Sequence, residues 1–146
     1  MEATFRKMTR GDVDEVYEIE LENFSYPWAK QAFEEECQNK LAHYIVATVG
    51  RDVVAYGGMW FVLDEANVTN IAVKKSHQSQ KIGQRLIEEM IETAKKRKVK
   101  YMYLEVRQSN EKAIYLYKKL GFIHYGVRQA YYPDNNENAL LMMRLL

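Results

Sequence analysis

The chain is poor in the residues that usually announce chemistry. Cysteine occurs once, at Cys37, and proline twice, in a chain of 146 residues. A lone cysteine excludes an internal disulfide framework and any cluster of zinc-ligand spacing; Cys37 reads as a helix packing residue, and a reducing cytoplasm is the expected compartment. His43, His77 and His124 are widely separated and share no ligand spacing, so no metal is expected. No apolar run approaches the ~20 residues of a membrane span, and no signal peptide is read. A net charge of +1 gives no general pull toward nucleic acid or a membrane surface. Repeats, linkers and low-complexity segments are missing too.

One absence is local. Residues 66–87 contain no Asp or Glu, while KKSHQSQKIGQRLI (residues 74–87) runs from a loop into a helix carrying Lys74, Lys75, Lys81 and Arg85. A helix N-terminus bears roughly +0.5 of partial charge and normally attracts acids, each worth ~0.3–1 kcal/mol. Fixed cations in that place predict an anion from outside the chain, and the near-neutral whole makes that ligand small.

What is present suits one soluble domain. Hydrophobic residues make up 47% and charged residues 28%, and a chain of this length buries roughly two thirds of its unfolded surface. Residues 3–8 alternate as a first strand; TRGDVDEVYEIELENF follows with Val13, Val16, Tyr17, Glu20 and Phe24 near helical spacing, Thr9 as cap and Asp12 three residues on. Pro27 suits the first turn of a second helix reaching about Gln38. HYIVATV and VVAYGGMWFVL read as a hairpin and NVTNIAVKK as the next strand. The helix after it keeps Ile82, Leu86, Met90, Ile91 and Ala94 on one face. VKYMYLEV is a buried strand, NEKAIYLYKKLGF a short helix stopped by Gly121, and residues 122–129 and 138–145 are two last strands. Strand, basic loop, helix, strand is a βαβ unit, so the sheet is mixed α/β, and the 74–83 loop lies beyond a strand's carboxyl end, where such sheets bind ligands. Helix N-termini there hold phosphates on free backbone N–H groups.

NIAV, HQSQKIGQRLI and LEVRQSNEKAIYLYKKLGF together resemble the acetyl-CoA-binding core of the GNAT acetyltransferase superfamily. ENFSYPWAKQAF and RQAYYPDNNENALLM extend the resemblance to nearly the whole chain and make it similar to the RimI-type ribosomal-protein alanine N-acetyltransferases. The resemblance implies a GNAT domain over residues 1–146: a mixed, mostly antiparallel sheet of about seven strands with about four helices. The family loop Q/R-x-x-G-x-G/A falls on Gln78, Ser79, Gln80, Lys81, Ile82 and Gly83, with Lys81 in place of the first glycine. Ile71, Ala72 and Val73 would line the pantetheine arm, Ile71 and Val73 pairing with it through their backbones. Ser79 to Gln84 would wrap the pyrophosphate, with Asn110 near the arm's far end.

Acetyl transfer to an amine needs a neutral nucleophile, a stabilised oxyanion and a proton for the departing thiolate. Glu105 interrupts the apolar YMYLEV and sits either at a strand end or in a partly dry cleft. The strand-end reading comes first on the residues alone, and the resemblance reverses it, making Glu105 the general base. Tyr117 shares a helix face with Ala113 and Leu120 and by default is a core tyrosine. By resemblance it is the general acid, and Val73 N–H the oxyanion donor. Tyr131 and Tyr132, before Pro133, read equally as strand packing or as one wall of a peptide slot. With Tyr26 and Trp28 they would form two lips of an acceptor groove, as the RimI-type likeness implies.

The expected activity is acetylation, from acetyl-CoA, of a protein N-terminal α-amine, alanine of a small-subunit ribosomal protein, without metal, nucleic acid or membrane as partner. Two other readings stay open: a free amine, polyamine or lysine acceptor, and a non-catalytic binding module, suggested by Lys81.

Overall fold

The computed structural model describes residues 2–146. β1 (Thr4–Lys7) leads through a 3-10 turn at Arg10–Asp12 into α1 (Val13–Asn23). Thr9 and Asp12 form the expected cap: the Asp12 carboxylate accepts from Thr9 N–H at 2.7 Å and from both Arg6 guanidinium nitrogens at 2.7 and 2.8 Å. Arg6 holds that carboxyl below its ordinary value.

The second helix departs from expectation. α2 spans Lys30–Glu36, so Pro27 lies before it rather than in its first turn, and it stops short of Gln38. Ala29 is its extended N-cap, with φ −68° and ψ 150°, and Phe24 is extended rather than helical. Residues 24–29 thus form an irregular segment between α1 and α2.

β2 (Ala42–Val49) and β3 (Asp52–Val62) make the expected hairpin, and a second one joins β3 to β4 (Glu65–Val73), which begins two residues earlier than NVTNIAVKK implies. α3 (Ile82–Lys96), β5 (Tyr101–Arg107), α4 (Glu111–Lys119), β6 (Ile123–Arg128) and β7 (Ala139–Leu145) complete the chain. The strands form one seven-stranded sheet in the order β1-β2-β3-β4-β5-β7-β6, antiparallel except for β4 with β5.

Each face of the sheet carries a core. Ile82, Leu86, Ile87, Met90, Ile91 and Ala94 of α3 pack on one side with Met102, Leu104 and Val106 of β5, and α4 closes over them with Ala113, Leu116 and Tyr117. Val13, Val16 and Ile19 of α1 and Phe33 of α2 pack on the other with Tyr44, Val46, Val53, Tyr56 and Ala72. The two layers close through Gly57 and Gly58 of β3: a Cβ on Gly57 would lie 2.6 Å from the Met90 sulfur, and one on Gly58 would lie 2.2 Å from the Tyr44 ring.

Candidate active site

The parallel pairing of β4 with β5 is short. It joins Glu65 to Tyr101, Ala66 to Met102 and Asn67 to Tyr103, and then the strands part. β4 is irregular at the same place, where its pairing with β3 shifts register and leaves Thr69 as an extra residue between Val68 and Asn70. Lys74 N–H bonds Val54 C=O at 2.8 Å, in register with the Ala55–Val73 pair. Alternation along an antiparallel ladder therefore turns the backbone groups of Ala72 toward β3 and those of Ile71 and Val73 away from it, into the gap left by β5. Ala72, expected beside its two neighbours on the pantetheine arm, puts its side chain in the second core and its backbone into the sheet. Val73 C=O is already taken, accepting from the side-chain amides of Asn23 and Gln78 at 3.1 Å each. Gln78 therefore braces the loop from within.

Beyond the gap lies the loop that precedes α3. Among the described residues, the backbone N–H groups of Ser79, Gln80, Lys81, Ile82, Gly83 and Gln84 find no protein acceptor; the first helical bond is Arg85 N–H to Lys81 C=O at 3.1 Å. Six consecutive free donors at a helix start form an anion cradle by geometry alone. Ser79 and Lys81 both take left-handed backbone, φ 64° and 63°, so Lys81 adopts the conformation that a glycine supplies without strain. The Ile82 side chain is buried in the core, leaving only its N–H to the cradle.

Two parts of the charge argument change. Arg85 does not face the loop: its guanidinium lies 4.9 Å from the Phe5 ring centroid and donates to Ala3 C=O. An acid does arrive from within the chain, since Glu22 of α1 accepts from Lys75 N–H at 2.8 Å. The cations that lean on the loop come from α4 instead, Lys112 Nζ on Ser79 Oγ at 3.2 Å and Lys119 Nζ on Gln84 Oε1 at 3.4 Å. Acids and bases three to four residues apart are legible in a sequence; a lysine some thirty residues downstream is not.

Glu105 stands on β5 just past the last paired residue, on the face away from α3 and α4. It lines a cavity of about 370 Å³ with Glu65, Asn67, Val68, Tyr103, Leu104, Tyr125 and Arg128. Arg128 Nη1 is 3.5 Å from its carboxylate across a half-exposed pair. Tyr117 sits in the α4 face that packs inward, its ring edge-on to Phe122 at 5.8 Å, while Tyr115 is exposed. Burial, with a smaller contribution from Tyr132, pushes the Tyr117 phenol up to about 12, so it keeps its proton throughout the neutral range. Asn110 caps α4, accepting from Ala113 N–H at 3.2 Å, which leaves its amide hydrogens for other partners.

The β6–β7 loop brings Tyr131 and Tyr132 to this end of the sheet, their rings 5.1 Å apart and edge-on. Arg128 lies over Tyr131 and Arg107 over Tyr132. Burial raises both phenols, and the nearby Glu105 charge adds to it. Tyr26 is exposed, and Trp28 is partly buried against Phe33 at 5.5 Å. None of the four lines the cavity beside Glu105, whose aromatic walls are Tyr103 and Tyr125. Sequence reasoning passed over all three: Tyr103 stands two residues before Glu105 on the same face of β5, which strand alternation alone could have shown, whereas only pairing through β7 brings Tyr125 and Arg128 of β6 near it.

A seven-stranded sheet parted between its parallel strands, with a loop of free donors at the following helix and an acid on the facing strand, is an arrangement that suits an acyl-transferring enzyme. Residues 13–122 match the family described as acetyltransferase (GNAT), and the chain belongs to that family. It is an acyltransferase, and family members draw their acetyl group from acetyl-CoA. Its curated relatives include the putative [ribosomal protein bS18]-alanine N-acetyltransferase of Bacillus subtilis, 42% identical over 96% of this chain and 93% of that protein. The [ribosomal protein bS18]-alanine N-acetyltransferase of Escherichia coli K12 is 35% identical over 95% of each. The crystal structure of the Escherichia coli ribosomal-protein-S18-alanine N-acetyltransferase superposes with a TM-score of 0.92 at 34% identity, over 99% of this chain and 94% of that one. The fold expected from the resemblance is the fold observed.

Proposed function

We propose that this chain transfers the acetyl group of acetyl-CoA to the α-amine of a protein N-terminus, alanine of a small-subunit ribosomal protein being the acceptor. The observation that carries the reading is the parting of β4 from β5, which leaves unpaired backbone donors on one wall and a carboxylate on the other. Ile71 and Val73 offer N–H groups along the gap, where an extended pantetheine arm adds like a strand, and residues 79–84 cradle the pyrophosphate with Lys112 beside them. Glu105 takes the ammonium proton, directly or through a water in its cavity. An α-amine titrates at ~7.7–8, so a modest base suffices. Val73 N–H receives the developing oxyanion; its carbonyl is tied back by Asn23 and Gln78, which fixes the peptide plane that follows it. Tyr117, protonated up to about 12, gives its proton to the leaving thiolate. The acceptor identity rests on the relatives' names and on nearly full-length similarity.

The non-catalytic reading loses its motive, since Lys81 takes the φ that glycine would supply. Mass spectrometry of products from acetyl-CoA and a panel of peptides beginning with Ala, Ser or Gly, beside peptides carrying internal lysines and free polyamines, tests the reading. Acetylation confined to α-amines is expected; acetylation only of lysine or polyamine would replace it with the amine alternative. Tyr132→Ala should raise peptide KM more than acetyl-CoA KM, and equal effects would remove Tyr132 from the acceptor wall.

A further inference from the structure

Glu20 is a carboxylate buried to 2% exposure in α1, and among the described residues no cation pairs with it. Its partners are neutral and come from three parts of the chain. Tyr56 Oη of β3 and Asn70 Nδ2 of β4 donate to Oε1, the latter at 3.3 Å, and Trp28 N–H donates to Oε2 at 2.9 Å. Asn70 continues the network to Tyr44 Oη at 3.2 Å and to Thr69 Oγ1 at 2.9 Å, the extra residue of β4. Burial and the Glu20 charge both push the Tyr56 phenol upward, which keeps it a donor.

A charge in such a place is not what stability alone selects, because an apolar side chain of similar volume avoids the desolvation penalty. What a carboxylate can do, and an apolar residue cannot, is hold a backbone N–H. Among the described residues, Trp28 N–H to Glu20 is the only hydrogen bond donated by the backbone of residues 25–29. That segment carries Tyr26 and Trp28, and the other end of the network sits on β4 immediately before Ile71.

We propose that Glu20 is a positioning residue that clips segment 25–29, an acceptor lip in the reading that the family resemblance implies, to the β4 irregularity, so that this segment and the cofactor strand are held in one register. The proposal rests on the N-terminal acetylation reading for its meaning, but the clip itself can be judged separately. Without the carboxylate, Trp28 keeps its ring contact with Phe33 and loses its backbone anchor, so the lip loosens while β4 stays paired to β3. Peptide binding suffers; the cofactor side, built from residues 71–84 and α4, does not.

The test uses the full chain with Trp60→Phe, which leaves Trp28 as the single fluorophore of the two tryptophans. Glu20→Gln, whose amide can accept at only one atom, and Glu20→Leu, which removes all three bonds, are compared in this background. Expected are an increase in peptide KM of about fivefold or more, an acetyl-CoA dissociation constant within about twofold, and roughly doubled acrylamide quenching of Trp28. Parallel increases in both substrates' constants, or unchanged quenching in Glu20→Leu, would overturn the clip. A wild-type protein that acetylates no peptide would instead overturn the acceptor reading, and the quenching comparison would then decide the clip alone.

Discussion

Tyr117 and Glu105 carry opposite expectations about pH. A phenol held at about 12 by burial stays protonated across the neutral range, so the donation proposed for it would add no alkaline limb of its own to the rate profile below that value. Tyr117→Phe removes one hydroxyl and keeps the ring that meets Phe122, so turnover should fall on the order of ten- to a hundredfold with the fold intact. A loss of stability with normal turnover, read by steady-state kinetics beside thermal unfolding, would return Tyr117 to a purely packing role. Glu105→Gln should lower kcat/KM about tenfold or more near neutral pH and less where the amine is already neutral, while acetyl-CoA binding persists. A pH-independent rate equal to that of the parent would take Glu105 out of the mechanism.

The loop into α3 sets its test at the level of the element. It presents six consecutive N–H donors without a protein acceptor among the described residues, the cradle proposed for the pyrophosphate, and Lys81 contributes a left-handed residue whose side chain is exposed. An exposed ion pair is worth only ~0–1 kcal/mol. Left-handed backbone costs a non-glycine residue about 1–2 kcal/mol, partly offset by the greater unfolded-state entropy of glycine, about 0.4–1 kcal/mol. Lys81→Gly should therefore leave the acetyl-CoA dissociation constant within about threefold, or lower it, and should raise folding stability slightly. Calorimetric titration at two salt concentrations checks this: a tenfold weakening that vanishes at high salt would make the Lys81 ammonium a phosphate ligand. The irregular 25–29 segment is the complementary case. There, Pro27 precedes the helix, and the chain enters α2 extended with its Trp28 N–H held by Glu20.

Across the whole molecule, two cores meet through a sheet that must be thin at one point. Gly58→Ala would drive a Cβ into three atoms of the Tyr44 ring at 2.2–2.6 Å, and that ring is buried and hydrogen-bonded to Thr69. Overpacking of this kind costs roughly 1–3 kcal/mol, so Gly58→Ala should lower the midpoint of denaturant unfolding measurably. Gly57→Ala meets the flexible end of Met90 and should cost less. Equal midpoints for Gly58→Ala and the parent would mean that Tyr44 can move aside without loss.

The order of elements, the apolar face of α3, the Thr9–Asp12 cap and the basic loop before α3 were legible because each depends on residues a few positions apart, where periodicity and capping chemistry act. Glu105 and Tyr117 are singled out through the family resemblance, since on the residues alone they read as a strand-end acid and a core tyrosine. Only the tertiary structure decided that β5 leaves β4 after Asn67, that Lys112 and not Arg85 leans on the loop, and that Glu20, on the helix stripe with Val13 and Val16, is buried and accepts the Trp28 N–H. The physical reason is the same each time. Strand divergence and side-chain partnerships between α1, β3, β4 and α4 join residues tens of positions apart, and a hydrophobic pattern records which face is buried but not what each polar group meets there.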